Sequence, residues 1–289
     1  MRELERENLP SNHQTPPAPL HVRGRLNAAP LVIVGRGRVG GSLALAAEAA
    51  GIEVRTAGHD EVATASEGAA AVLLCVPDSA IAGVAAEVPE GPAFVGHVSG
   101  AGTLNLLADA AARGARAFSL HPLQTFADGK TSVDDTPAAI AGSDREALGF
   151  ARELVEALGM RPFEVAEEDR SAYHAAAAIA SNLLIALEES AAELLARLGT
   201  DEARELLGPL VLRTAANWVE LGPNALTGPI ARGDQTTIDG HRAALREKAP
   251  ELLPLYDVLA ERARAVAVEV RGGSAGEAEE PPVGWSVRA

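Results

Sequence analysis

The sequence predicts an α/β fold in which a doubly wound parallel sheet is followed by an all-helical C-terminal domain. From Leu31 to about Ala166, short and mostly unbroken apolar segments alternate with helical patterns, as in parallel strands that are buried on both faces. From Glu167 onward the strand pattern disappears, and long helical patterns rich in alanine and leucine follow. We therefore expect a sheet domain over residues 29–166 and a helical domain over residues 167–271.

The individual elements follow from the same patterns. Six apolar segments are predicted as strands: Leu31–Val34, Ile52–Thr56, Ala71–Val76, Ala93–Val98, Ala115–Leu120 and Ala138–Ala141, with Phe163–Ala166 as a candidate for one more. Helices are predicted between and after them: Ser42–Ala50, Ser79–Glu87, Leu104–Arg113, Arg145–Leu158, Asp169–Leu198, Asp201–Leu221, Thr237–Arg246 and Pro250–Val270. Polar, proline-containing termini predict disordered tails over residues 1–28 and 272–289.

Composition and charge limit the function classes. The formal net charge of −15 disfavours binding to nucleic acid or to an acidic membrane surface. The single cysteine, Cys75, cannot form an intramolecular disulfide, so nothing indicates an oxidising compartment. Residues 1–30 lack the apolar core of a secretory signal, and no apolar stretch approaches the roughly 20 residues of a membrane-spanning helix. We expect a cytoplasmic protein without a membrane partner.

The first predicted strand runs into a glycine-rich turn, Gly35-x-Gly37-x-x-Gly40, that opens a helix. This context is typical of a Rossmann dinucleotide-binding domain. Gly35 permits the tight turn, Gly37 lets the backbone approach a pyrophosphate, and Gly40 lets helix and strand pack closely. The predicted cofactor-binding residues are Gly35, Arg36, Gly37, Arg38, Val39, Gly40, His59, Val76 and Pro77.

The end of the second predicted strand favours NADP over NAD. An acidic residue that holds the NAD ribose lies about 20 residues beyond the glycine turn. Counting that distance from the glycine turn gives Asp60. The predicted strand, however, ends near Gly58 and His59, and neither residue has a carboxylate. Positive charge for a 2′-phosphate is available nearby, from Arg36, Arg38, Arg55 and His59. The alternative is that these are ordinary solvated cations, which is what we expect of Arg55.

Polar residues follow three predicted strands, and ligands bind beyond such carboxyl ends in open parallel sheets. Asp78 follows the third strand and is predicted to cap the next helix. Ser99 follows the fourth strand, in a position to hydrogen-bond a nicotinamide carboxamide or a substrate oxygen. His121 ends the fifth strand, where a structural and a catalytic role are both open.

Two features of the second domain are candidates for substrate binding. His174, Ser181 and Asn182 are spaced to share one face of a predicted helix, which serves either a ligand or a neighbouring helix. The segment Leu221–Thr237 holds two Gly-Pro steps together with Thr227 and Arg232. Arg232 is placed either to grip a carboxylate or to pair with Asp234.

These residues resemble a known family, Rossmann-like proteins with a C-terminal domain of unknown function 2520, which is related to the 6-phosphogluconate dehydrogenase C-terminal superfamily. The matching segments are Gly35–Gly41, Val76–Ser79, His97–Gly100, Ser119–Phe126, Tyr173–Asn182, Asn217 and Ala225–Asp234. Some members are similar to an alternative type of ketopantoate reductase of pantothenate synthesis. The resemblance therefore implies reduction of 2-dehydropantoate by NADPH.

One departure bears on the mechanism. Related 3-hydroxyacid dehydrogenases carry a catalytic lysine four residues before an asparagine, and aligning that asparagine with Asn182 places Ala178 at the lysine. His174, one turn earlier, is the substitute that we favour as proton donor, with His121 as the alternative. The pair His121-Pro122 is similar to the prephenate dehydrogenase pattern.

Three hypotheses follow. The first is an NADP-dependent reductase of a small 2-oxo acid. In it the nicotinamide lies near Ser99, while Ser181, Thr227 and Arg232 bind a carboxylate substrate and Asn182 assists the histidine. The second is an oxidative dehydrogenase of prephenate or 3-hydroxyacid type, and the third is a non-enzymatic dinucleotide sensor. None requires a metal, and the apolar helices predict a homodimer.

Overall fold

The computed structural model describes Gly24, Leu26 and residues 29–273, and the chain divides into two compact units, Met1–Ile179 and Ala180–Ala289. The first unit holds a sheet covered by helices and the second is helical, so the predicted fold class is confirmed. The division falls one helix later than the predicted boundary. Most of both predicted tails lies outside the described residues, but Leu26 is buried in the core of the first unit.

Seven strands form one sheet in the order β2-β1-β3-β4-β5-β6-β7. Their bounds are β1 Leu31–Val34, β2 Val54–Ala57, β3 Ala71–Leu74, β4 Phe94–His97, β5 Arg116–Pro122, β6 Pro137–Gly142 and β7 Arg161–Glu164. All six predicted strands are present, and the candidate seventh is displaced by two residues towards the N-terminus. The neighbours from β2 to β5 are parallel, so β1, β3, β4 and β5 end at the same edge.

The sheet is mostly parallel, as predicted, and departs from this arrangement at one position, where β6 runs antiparallel to β5. A parallel neighbour requires a crossover, usually a helix, whereas residues 123–136 connect these strands without one. The chain therefore turns back at the edge where β5 ends. The helix Arg145–Ala157 then provides the crossover that makes β7 parallel to β6.

Helices cover both faces of the sheet, each over an apolar core. In the first unit they are α1 Arg38–Ala49, α2 Val62–Ala65, α3 Ile81–Glu87, α4 Ala108–Ala112, α5 Arg145–Ala157 and α6 Arg170–Ala180. Phe150 of α5 stacks on Phe94 of β4, with ring centroids 4.1 Å apart, and meets Phe118 of β5 edge-on at 5.2 Å. These contacts hold α5 against the two strands that end at the site.

The second unit contains α7 Asn182–Arg197, α8 Ala203–Leu221, α9 Gly228–Arg232, α10 Gln235–Lys248 and α11 Leu253–Gly273. The long helix predicted over Asp169–Leu198 is interrupted at Ser181, where the backbone leaves the helical region (φ −128°, ψ −80°). The polar face predicted through His174, Ser181 and Asn182 is therefore not continuous, because the prediction assumed unbroken helical periodicity.

Among the described residues, the segment Glu167–Arg197 is long and apolar enough, by length and composition, to cross a membrane. Its mean hydropathy reaches 1.3 over 18 residues, and 6% of that window is buried. This corrects the expectation that no apolar stretch approaches such a length. The run Ala175–Ala178 contributes to this hydropathy, because the methyl side chain of alanine is apolar.

Candidate active site

The glycine-rich turn between β1 and α1 contains two glycines that the fold itself requires. Gly35 has a φ of +111°, and a Cβ there would lie 2.3 Å from the backbone oxygen of Cys75. A Cβ on Gly40 would lie 1.9 Å from the Gly35 oxygen. Side chains at these two positions would therefore break the packing of α1 against β1 and β3.

Gly37 differs from both. Its φ of −77° suits any residue, and a Cβ there would meet no atom within 4 Å. Gly37 also precedes the first turn of α1 without a side-chain cap, so the N–H groups of that turn remain available to an anion. The packing of the protein does not explain a glycine at this position, whereas the approach of a pyrophosphate would.

At the carboxyl end of β2 the structure places a carboxylate that sequence counting missed. Glu61 belongs to a short 3₁₀ turn, His59–Glu61, that directs its side chain back towards the strand end. Its Oε2 accepts hydrogen bonds from Gly58 N at 2.7 Å and from Arg36 Nη2 at 2.5 Å. Arg36 also donates to the Thr56 oxygen at 3.2 Å, so both charges are fixed at this strand end.

The remaining predicted cofactor residues lie around the same edge. Arg38 begins α1 and is exposed, while Val39 packs partly against the core. The His59 ring lies between two carboxylates, with Nδ1 3.5 Å from Asp60 Oδ1 and Nε2 3.6 Å from Glu87 Oε1. Val76 and Pro77 follow β3 after one intervening residue, Cys75.

A hydrogen-bond network joins the ends of β3 and β4. Ser99 donates its hydroxyl to Asp78 Oδ2 at 2.7 Å and accepts from Gly102 N at 2.8 Å. The Ser99 N–H donates to His97 Nδ1 at 3.2 Å, which leaves His97 Nε2 to donate to the Thr103 oxygen, also at 3.2 Å. The Ser99 hydroxyl proton is thus committed to building this turn, and a contact with a ligand remains a prediction.

The same network corrects the role of Asp78. The sequence predicted a helix cap, but Pro77 precedes the short 3₁₀ turn that leads into α3, and the Asp78 side chain caps no backbone N–H. Its carboxylate accepts the Ser99 hydroxyl instead. The two strand ends lie side by side in the sheet, which makes this tertiary partner available.

Arg170, the first residue of α6, is fully buried beneath this turn. Its guanidinium donates to the Ser99 backbone oxygen at 2.8 Å and to Ser119 Oγ at 2.9 Å. Glu167 Oε1 lies 3.7 Å from Arg170 Nη1, while Glu167 Oε2 accepts from Leu104 N at 2.7 Å. One buried side chain therefore joins the ends of β4 and β5 to the start of α6.

Two histidines meet above Gly100 at the centre of the site. A Cβ on Gly100 would lie 2.5 Å from His174 Cδ2 and 2.9 Å from His121 Nε2. The two imidazole rings are 6.0 Å apart, edge to face. His121 Nδ1 forms a 2.6 Å hydrogen bond with the Tyr173 hydroxyl. The structure thus brings together Ser99, His121 and His174, three of the four predicted catalytic residues.

Burial and neighbouring cations keep the inner histidines neutral. Desolvation, followed by the charges of His174 and Arg170, lowers the pKa of His121 to about 4. Desolvation and Arg170 likewise lower the pKa of His97 to about 4. Burial raises the pKa of Tyr173 to about 12, so its phenol stays protonated near neutral pH. At pH 7 the site therefore presents a neutral His121 bonded to a neutral Tyr173.

The other predicted substrate residues belong to the second unit. Asn182 begins α7, and its Oδ1 accepts from Ser181 Oγ at 3.1 Å. Thr227 directly precedes α9, and Arg232 ends that helix with its side chain exposed. No described residue forms a hydrogen bond or ion pair with Arg232.

Among the described residues, Arg232 and Asp234 form no contact ion pair, although the Thr237 hydrogen bonds and then the Arg232 charge lower the pKa of the Asp234 carboxyl. The Asp234 carboxylate caps α10 instead, accepting from Thr237 N at 3.1 Å and Thr237 Oγ1 at 2.7 Å. The two Gly-Pro steps prove to be helix starts, at the 3₁₀ turn Gly222–Ala225 and at α9. A proline in a first turn sacrifices no intrahelical hydrogen bond, which explains this punctuation without a ligand.

Comparisons with known proteins agree with this fold. Residues 136–263 match the family described as Domain of unknown function (DUF2520). The match spans β6 to α11 and confirms the resemblance seen in the sequence. No curated protein is significantly similar to the chain.

Solved structures extend the likeness over the whole sheet. A candidate NADP oxidoreductase from Bacteroides fragilis has a TM-score of 0.69 at 24% identity, over 83% of this chain and 99% of its own. A Thermotoga maritima protein has a TM-score of 0.67 at 26% identity, with the same coverage. A reductive aminase from Aspergillus terreus, solved with NADPH and ethyl levulinate, has a TM-score of 0.61 at 18% identity, over 85% of this chain and 99% of its own.

Proposed function

We propose that this protein is an NADP-dependent oxidoreductase that reduces a small 2-oxo acid, with 2-dehydropantoate as the first substrate to test. The observation that carries the proposal is the pair His121 and His174 above Gly100, at the sheet edge that also holds the open glycine turn. Proteins of similar fold include a candidate NADP oxidoreductase and a reductive aminase solved with NADPH, which supports the choice of cofactor. The ketopantoate substrate rests on the sequence resemblance.

The residues fit such a cofactor at both ends of the site. Gly37 and the uncapped first turn of α1 would receive the pyrophosphate, and Arg36 lies where a 2′-phosphate would be held. The turn Ser99–Gly100 would support the nicotinamide. When bound there, NADPH supplies a hydride to the carbonyl carbon of the substrate.

We assign different tasks to the two histidines. With the Tyr173 hydroxyl donating to Nδ1, His121 carries its hydrogen on Nε2, the atom near Gly100, and so polarises the carbonyl oxygen as a neutral donor. His174 is exposed, and we assign to it the delivery of a proton to the same oxygen. Hydride on carbon and a proton on oxygen give the alcohol. Arg232 of the second unit is proposed to bind the substrate carboxylate, with Ser181, Asn182 and Thr227 as further polar groups.

The same geometry favours one alternative, oxidation of a hydroxy acid. A histidine whose pKa lies near 4 is an available proton acceptor at neutral pH, as a general base for an alcohol requires. In that direction His121 would be the other tautomer, with its hydrogen on Nδ1 donated to the Tyr173 oxygen, and it would accept the hydroxyl proton at Nε2. Comparing NADPH consumption with NADP⁺ reduction on matched oxo and hydroxy acids separates the two assignments.

Cofactor binding is tested at Gly37. We expect Gly37→Val to abolish NADPH binding, because the side chain would fill the space through which the pyrophosphate reaches the backbone. The open surroundings of Gly37 predict that this variant folds normally. Titration by protein-to-NADPH energy transfer or calorimetry measures the loss, and thermal unfolding checks the fold. Gly240→Val, another exposed glycine with free space, is the control that should bind as the parent does. Undiminished binding by Gly37→Val would remove the glycine turn from the site.

Chemistry is tested by NADPH consumption over a panel of 2-oxo acids that includes 2-dehydropantoate, with cyclic imines for comparison. We expect His174→Ala to lower kcat by about 10²–10⁴-fold, as loss of a general acid does. Arg232→Ala should mainly raise KM, since a carboxylate clamp acts in ground and transition states alike. His241→Ala, whose ring bonds Tyr256 within the second unit, is the histidine control. If NADPH binds but no substrate is turned over, a nucleotide-sensing role replaces the enzymatic one.

We also propose that the second unit is covered by a second copy of the chain. Large apolar side chains on α7, α8 and α11 are exposed, among them Ile185 at 60%, Leu212 at 73%, Trp218 at 63% and Val258 at 66%. Apolar surface of this extent is typical of subunit interfaces. The apolar segment Glu167–Arg197 fits this account better than it fits lipid. Its first turn is anchored under the sheet edge by buried Arg170.

The oligomeric state is the corresponding test. Light scattering coupled to size-exclusion chromatography should give twice the chain mass, and Leu212→Glu should give a folded monomer, because it places a charge in the apolar interface. Glu205→Lys, a charge change at an exposed position of the same helix, should leave the dimer intact. A parent protein that is monomeric in buffer without detergent would contradict the proposal. A parent protein recovered only in the membrane fraction would also contradict it, and would favour lipid as the partner of the apolar surface.

A further inference from the structure

The cluster at the end of β2 contains the two side-chain types that separate NAD-binding from NADP-binding sites. A carboxylate at this strand end accepts hydrogen bonds from the ribose hydroxyls of NAD, whereas an arginine accommodates the 2′-phosphate of NADP. Here Glu61 and Arg36 are both present, and they are bonded to each other at 2.5 Å. While no nucleotide is bound, Arg36 is therefore paired with Glu61 instead of a phosphate, and Glu61 is paired with Arg36 instead of ribose hydroxyls.

The contacts of Glu61 fix it in place independently of Arg36. Its Oε2 also accepts from Gly58 N, and this hydrogen bond together with Arg36 holds the pKa of the carboxyl below its usual value. If Arg36 moves to a phosphate, the Glu61 carboxylate stays bound to the Gly58 N–H, charged and beside the incoming group. A 2′-phosphate must therefore displace Glu61 from Arg36, and the negative charge of Glu61 then stays close to the phosphate.

We infer that Glu61 is a cofactor-specificity residue. It competes with the 2′-phosphate of NADP for Arg36 and thereby reduces the ratio of the affinity for NADP to that for NAD. This inference rests on the proposed function, because it requires a dinucleotide on the glycine turn. NAD, which lacks the phosphate, leaves the Arg36–Glu61 pair intact and offers its ribose hydroxyls to the carboxylate.

Two neighbouring carboxylates do not share this arrangement. Asp60 lies 3.5 Å from His59 Nδ1, and Glu87 lies 3.6 Å from His59 Nε2. Both pair with His59 and neither contacts Arg36. Asp60 is adjacent in sequence and its side chain is fully exposed, so Asp60→Asn removes the same charge from the same turn without releasing Arg36. It is therefore the matched control for Glu61→Gln.

The expected effect is modest because both partners are about half exposed, at 55% and 52% of their side-chain surfaces. Exposed ion pairs of this kind correspond to a change of about two- to fivefold in a dissociation constant. The glutamine oxygen of Glu61→Gln still accepts from Gly58 N, so the 3₁₀ turn is preserved while the charge is lost. Arg36→Ala removes the cation and should abolish the preference for NADPH.

The experiment is a titration of the full-length protein with NADPH and with NADH, for the parent, Glu61→Gln, Asp60→Asn and Arg36→Ala. We expect Glu61→Gln to lower the Kd for NADPH about two- to fivefold and to leave the Kd for NADH unchanged or raised, with Asp60→Asn keeping the parental ratio. Equal shifts for both nucleotides, or the same shift in Asp60→Asn, would overturn the inference and leave the proposed function standing. If the parent binds neither nucleotide, the proposed function fails first.

Discussion

The candidate site depends on one buried cation. The Arg170 guanidinium has no exposed surface, and it bonds the backbone after β4, the Ser119 hydroxyl of β5 and, through charge, Glu167. A buried guanidinium depends on such partners, because a buried charge that is left unpaired is strongly destabilising. Because α6 begins at Arg170 and carries Tyr173 and His174 within its next turn, this anchor also sets the position of the groups that face His121.

The polar groups at the strand ends divide into structural and exposed ones. Ser99 forms hydrogen bonds with Asp78, with His97 and with the backbone N–H of Gly102. These bonds shape the turn that contains Gly100. His121 Nε2 and the exposed ring of His174 are left on the open side of that turn. The inner network thus holds the turn in place, and the two rings above it are the groups to which our proposal assigns the chemistry. This division explains why burial lowers the pKa of both His97 and His121, although only His121 faces the open side.

Local patterns in the sequence predicted much of the fold but less of the site. The strands and the glycine turn depend on short apolar runs and on Gly35, Gly37 and Gly40, all visible within a few residues. Arg170 was missed because it follows the acidic run Glu167–Asp169, where an arginine is typical of a solvated helix face. Its burial depends on Ser119 of β5 and on Ser99 after β4, which lie 51 and 71 residues earlier in the chain.

Two further differences have the same physical origin. Glu61 lies beyond the end of β2 in sequence, and only the 3₁₀ turn returns its carboxylate to Gly58. The break at Ser181 separates residues that a regular helix would align. A periodic pattern of apolar residues indicates a continuous helix or strand. It does not show the residue at which that element is interrupted or at which the chain reverses direction. Hydrophobic pattern alone also left the direction of β6 undetermined, since a buried antiparallel strand has the same composition.

The most direct test of the account is a crystal structure of the protein with NADP⁺ bound. The account predicts a pyrophosphate against the Gly37 backbone at the start of α1, with the nicotinamide ring on the turn Ser99–Gly100 and facing His121 and His174. A dinucleotide bound elsewhere, or a nicotinamide directed away from both histidines, would contradict the central claim that this sheet edge is an oxidoreductase active site.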